Sequence, residues 1–103
     1  LGSRIYLCRT LWKTREFDQL IHQLEAFRQF ILRNRKQLGE AAPRYKRFIS
    51  LLSRMSEAMQ GPPDLIKKKM NKIARDLEAK NEDYQYRWIR RQLKEFTPSI
   101  AQN

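Results

Sequence analysis

The chain has 103 residues, enough for one modest hydrophobic core and too few for two. Lys and Arg number 22 against 11 Asp and Glu, a net charge of +11 that points to nucleic acid, an anionic membrane surface or an acidic protein face as the counterpart. The single cysteine, Cys8, excludes an internal disulfide and a cysteine-rich zinc site, and no apolar run is as long as a bilayer crossing.

Helical periodicity dominates, and no run alternates at period 2 as a strand would. Leu1-Gly2-Ser3 reads as the scar of a protease-cleaved expression tag, which leaves one domain over residues 4–97 and a loose tail over 98–103. Ile5, Cys8 and Trp12 form a short apolar stripe. The stronger seam follows it: Phe17, Leu20, Leu24, Phe27 and Ile31, with steps of 3, 4, 3, 4, continuing through Asn34 to Leu38. The two stripes lie ~140° apart if the helix runs straight. Gly39 supplies a left-handed stop.

Pro43 is placed as the first residue of a second helix, whose seam is Tyr45, Phe48, Leu52, Met55 and Met59. Gly61-Pro62-Pro63 ends it. Asp64 is an N-cap for a third helix with the seam Ile66, Met70, Ile73 and Leu77. The next apolar set, Tyr86, Ile89, Leu93 and Phe96, falls about half a turn out of register with Leu77. A turn is therefore expected near Lys80-Asn81-Glu82-Asp83, with Asn81 starting a last helix that Thr97-Pro98 closes.

Chain geometry supports that turn. Two straight helices over Arg4–Leu38 and Asp64–Phe96 would each overhang a middle helix by roughly 25 Å at about 1.5 Å per residue. A monomer would then leave Trp12, Ile89, Leu93 and Phe96 wet. The expected fold is an all-α, compact antiparallel bundle of four helices; the alternative is three long helices that oligomerise.

Nothing in the sequence marks an enzyme. His22, the single histidine, has no partner pattern of a general base, and there is no phosphate loop, nucleophile elbow, zinc-protease motif or dinucleotide fingerprint. No cofactor and no metal are expected. The carboxylates are scattered among bases at helix-pair spacings, which is ordinary surface chemistry.

The cations cluster in three places. Arg87, Arg90, Arg91 and Lys94 form one stripe of the last helix at i, i+3, i+4 and i+7. Arg33, Arg35, Lys36, Arg44, Lys46 and Arg47 surround a single acid, Glu40. Lys67, Lys68 and Lys69 open the third helix, followed by Lys72 and Arg75. Cations at a helix start oppose the helix dipole, at ~0.3–1 kcal/mol each when exposed. Open amides beside cations make an anion site. Arg44, Lys46, Arg47, Lys67, Lys68, Lys69 and Lys72 are the candidate anion-binding residues.

Trp12 and Trp88 both fall off their local seams; Trp88 aligns with Tyr84 and Arg91 on the back of its helix. Either they pack together as a satellite core, or they are exposed anchors of the kind that dominate interfaces or stack on bases. In the second case the partner site is Trp12, Tyr84, Trp88, Arg87, Arg90, Arg91 and Lys94. The favoured function is a non-enzymatic protein–protein interaction module of a larger intracellular protein, docking an acidic or helical partner. The alternative is a nucleic-acid-binding helical domain; a membrane surface ranks third. One cysteine in an apolar run fits a reducing compartment, cytoplasm or nucleus. The oligomeric state stays open.

Overall fold

The computed structural model describes residues 2–78 and 84–96, with the backbone alone at Glu78 and Tyr84. These residues are all-α and form a single compact bundle of six helices: α1 (Gly2–Lys13), α2 (Phe17–Arg33), α3 (Arg35–Leu38), α4 (Ala41–Gln60), α5 (Pro63–Glu78) and α6 (Tyr84–Lys94). The expected count of four is wrong, and so is the alternative of three long oligomerised helices. The error lies in the first expected helix, which is three helices rather than one.

The first break falls at residues 14–16. Glu16 N donates to Leu11 O at 2.9 Å and Arg15 N to Trp12 O at 3.1 Å, the 6→1 and 5→2 bonds of a Schellman turn. Arg15 takes the left-handed position that glycine usually fills, with φ 60°. The hydroxyl of Thr14 donates to the Glu16 carboxylate at 2.6 Å, which holds the turn from outside. This break resolves the phase conflict between the Ile5–Trp12 stripe and the Phe17 seam, because each helix can now turn its own apolar face inward.

The second break is made by Asn34. Its side-chain Nδ2 donates to Phe30 O at 2.8 Å, and its backbone N–H reaches Phe30 O and Ile31 O at 3.0 and 3.3 Å. One further turn, α3, ends at Gly39, whose φ of 56° and ψ of −126° belong to glycine-only backbone rather than to the ordinary left-handed cap. Two smaller expectations shift. Pro43 is the third residue of α4, and Pro63 rather than Asp64 opens α5. Both prolines still lie in a first turn, where a missing N–H costs nothing. The expected turn over Lys80–Asp83, with Asn81 as a helix start, lies outside the described residues.

The core is centred on α4, which packs against α2, α5 and α6, while α1 packs on α2. Antiparallel pairing of α2 and α4 is marked at one end by Gln60 Nε2 donating to Asp18 Oδ1 at 2.6 Å and at the other by the Phe27 and Tyr45 rings, 5.9 Å apart. The expected seams are the buried ones: Leu20, Leu24, Phe27 and Ile31; Phe48, Leu52 and Met55; Met70, Ile73 and Leu77; Tyr86, Ile89 and Leu93. Because α4 has three neighbours, its buried arc also takes in Ile49, Leu51, Ser56 and Ala58. The Ser56 hydroxyl is satisfied by Leu52 O at 2.8 Å. Among the described residues no helix is long and apolar enough to cross a membrane.

Cys8 is buried in α1, and burial pushes its thiol up to about 11, with the nearby Arg4 cation pulling weakly the other way.

The turns and the thiol each predict a measurable change in stability. Arg15→Gly removes left-handed strain of about 1–2 kcal/mol at an exposed site and should raise the urea midpoint. Gly39→Ala should lower it by a similar amount, since its added Cβ meets nothing within 4 Å and only the backbone objects. A lower midpoint for the first variant would show that the Arg15 side chain, not the turn, holds this corner. For Cys8, the folded thiol titrates above its unfolded value of 9.0, so its contribution is intact below that pH and is lost as pH rises through about 11. Denaturation of wild type and Cys8→Ala across this range should converge at the alkaline end, and a thiol reagent at neutral pH should label Cys8 only after unfolding.

Candidate binding surface

The two tryptophans are core residues. Trp12 is 5 % and Trp88 2 % exposed. The Trp12 ring meets Phe17 edge-on at 5.4 Å and Phe96 at 6.5 Å, so it joins the α1–α2 corner to the end of α6. Trp88 lies 6.2 Å from Phe48 of α4. Each indole thus has its own aromatic partners, rather than the other indole. They sit off their seams because α1 and α6 are covered from more than one side, which widens the buried arc beyond what one neighbour requires. The side chain of Tyr84 lies outside the described residues.

What α6 leaves outside is cationic. Arg87, Arg91 and Lys94 are exposed at steps of 4 and 3, and Arg90 is half-buried. No acid interrupts α6 from Tyr84 to Lys94. Arg9 of α1 joins this face. Its guanidinium lies 5.0 Å from the centre of the Trp88 ring, a cation–π arrangement. Burial, and then the charge of Arg91, push the Arg9 guanidinium below its ordinary value. The fold has therefore brought Arg9, near one end of the chain, onto the cationic face of α6. Nothing in the sequence near Arg9 signals this meeting, which depends wholly on α6 folding back to α1.

A second basic patch surrounds the start of α4. Arg44, Lys46 and Arg47 are exposed there. Arg47 reaches across to α6, donating to the Tyr86 hydroxyl at 3.0 Å with its guanidinium 5.8 Å from the ring centre. Arg35 of α3, which is not among the expected anion-binding residues, lines the same open depression as Lys46 and Arg47, about 520 Å³ in volume.

The lysines of α5 are elsewhere. Lys67, Lys68, Lys69 and Lys72 are exposed on α5, which begins beyond the far end of α4 from Arg44. The ammonium of Lys69 lies 3.6 Å from the point where a Cβ on Gly61 would sit, and the carbonyl oxygens of Ala58 and Glu57 are 3.5 and 3.6 Å from that point. Since α4 has no basic residue in its own last turn, Lys69 supplies the positive charge that the carbonyl end of that helix favours. Lys69 and Lys72 also share a small depression with Arg54 and Glu57, beside the Arg54–Asp76 ion pair at 3.0 Å. The seven anion-site candidates thus form two groups at opposite ends of α4, not one site.

His22 is exposed on α2. Among the described residues no three His, Cys, Asp or Glu side chains stand close enough together to hold a metal ion. Comparison with known proteins adds no constraint: no protein-family model, no curated protein and no solved structure matches the chain.

Proposed function

We propose that the chain is a non-enzymatic docking module that receives an acidic protein partner on its basic surface. The observation that carries this reading is Arg9 held over the Trp88 ring at 5.0 Å, beside the acid-free cationic row of α6 in which Arg91 and Lys94 are exposed. Like charges gathered on one face cost the free protein stability, and a carboxylate-bearing partner converts that cost into attraction. Guanidinium groups also suit carboxylates geometrically, through paired N–H donors. With the tryptophans in the core, the arginines rather than the indoles are the contact residues of this proposal. The single cysteine, Cys8, buried in α1, fits a module placed in a reducing compartment of the cell.

A second reading, nucleic-acid binding, has one specific observation in its favour. Tyr6 is 73 % exposed on α1, one turn before Arg9, and an exposed ring beside cations is a platform for unpaired bases. One titration separates the two readings. Arg91→Gln with Lys94→Gln should raise the urea midpoint of the free chain and weaken its binding to fluorescent poly-L-glutamate. Unchanged glutamate binding would overturn the acidic-partner reading. Tighter binding of a mixed-sequence oligonucleotide, lost ~10³-fold or more between about 50 and 200 mM salt, would replace it with the nucleic-acid one.

A further inference from the structure

Arginines from two other helices bracket α6. Tyr86 and Trp88 are two residues apart in sequence, yet at ~100° per residue they leave α6 on opposite flanks. On the Tyr86 flank, Arg47 of α4 donates to the phenol hydroxyl at 3.0 Å. On the Trp88 flank, the guanidinium of Arg9 from α1 lies 5.0 Å from the ring centre. Around the outer arc between the two flanks come, in order, Arg90, Lys94, Arg87 and Arg91. No acid interrupts α6 from Tyr84 to Lys94; the first, Glu95, follows the helix end. Three helices thus supply one basic band that crosses the outside of α6, with Arg47 at one edge and Arg9 at the other.

The shape of this band selects the form of an acidic partner. It follows the outside of a single helix, a convex surface, whereas a docked helix needs a groove that takes its apolar stripe. An extended chain bends over a convex surface, and its side chains at every second residue face the same way. The path from one flank to the other, around a helix about 10–12 Å across with its side chains, is roughly 15–20 Å. About six extended residues cover that distance at about 3.3 Å each. Both flanking guanidiniums are already held, Arg47 by a hydrogen bond and Arg9 over an indole, so they lose less freedom when an anion arrives. A nucleic-acid strand calls for a row of rings to stack its bases, whereas the exposed ring here, Tyr6 at 73 %, stands one turn beyond Arg9 at the edge of the band.

We infer that an extended acidic segment of the partner protein, about six residues long, crosses α6 from Arg9 to Arg47, its carboxylates meeting both flanking guanidiniums and the cations between them. This rests on the reading of the chain as an acidic-partner docking module and names the partner's form. Arg47 is the residue it adds. It lies on the flank of α6 that acidic docking beside Arg9 and Trp88 does not need, so its loss is the direct test of a crossing.

The experiment titrates fluorescent peptides of alternating Asp and Ser with a central proline, which opposes helix formation, at lengths of about four and about eight residues. The longer peptide spans the band and should bind more tightly. Arg47→Gln should weaken it by about fivefold or more and erase its advantage over the shorter one, with helical circular dichroism unchanged. Arg9→Gln should weaken it comparably. Lys68→Gln, the same charge change on α5, should alter binding by less than about twofold. Should a variant fail to fold, amide chemical shifts of the wild-type chain decide: the longer peptide should move Arg9 and Arg47 together. Equal losses from Arg47→Gln and Lys68→Gln would show attraction to net charge and overturn the crossing. Binding that weakens with Arg91→Gln plus Lys94→Gln but not with Arg47→Gln, or shifts at Arg9 without Arg47, would overturn the crossing and leave acidic docking standing. Failure of both peptides to bind would overturn both, and tight binding of a mixed-sequence oligonucleotide would then put nucleic acid in their place.

Discussion

The structure depends on the burial of α4 from three sides. A helix with one neighbour needs a single apolar stripe, but α4 meets α2, α5 and α6, and Phe48, Leu52 and Met55 are wholly buried between them. Fully burying each such side chain is worth about 1.5–3 kcal/mol, so this contact set outweighs any single turn or surface pair. It also determines what remains outside. What α4 leaves exposed includes Pro43, Lys46, Ser50 and Glu57, with Ser53 half-buried between them.

The same arrangement sorts the cations into different jobs. Lys69 sits at the carbonyl end of α4, and Arg47 is tied to the Tyr86 hydroxyl. Arg54 and Arg28 are held by Asp76 and Glu25, and Arg4 lies 4.4 Å from the centre of the Phe30 ring. Exposed pairs of this kind contribute little to stability. Arg9 differs, because burial and then the charge of Arg91 push its guanidinium below its ordinary value. A fold that tolerates such a placement has given up a little stability at that spot, which is the usual signature of a surface shaped by something besides folding.

Burial of Trp12 and Trp88 changes the functional argument more than the fold. Taken along single helices, both indoles lie off the apolar seam and resemble exposed anchors. In three dimensions they are the parts of α1 and α6 that meet α2, α4 and each other's helix ends. Aromatic residues with off-seam positions can serve the core whenever a helix has a second neighbour. Of the arginines beside them, Arg87 and Arg91 are exposed, while Arg9 and Arg90 are half-buried.

Periodicity alone determined the seams of α2, α4, α5 and α6, because a repeat near 3.6 residues can bury only one face of a helix. Gly61-Pro62-Pro63 and Gly39 marked their breaks, since backbone chemistry there is local. The break at residues 14–16 left no such mark: it is built from Arg15 in a left-handed conformation and hydrogen bonds back to Leu11 and Trp12, with neither Gly nor Pro. Its one trace was the ~140° phase conflict between Trp12 and Phe17, the same kind of evidence that argued for a turn after Leu77. Tertiary structure alone decided between the two places the sequence left open for the tryptophans, core or surface, and set Arg9 over Trp88 and Lys69 beside the end of α4. Those outcomes depend on contacts between residues far apart in the chain, where the energy of packing many side chains at once overrides anything a local pattern can carry.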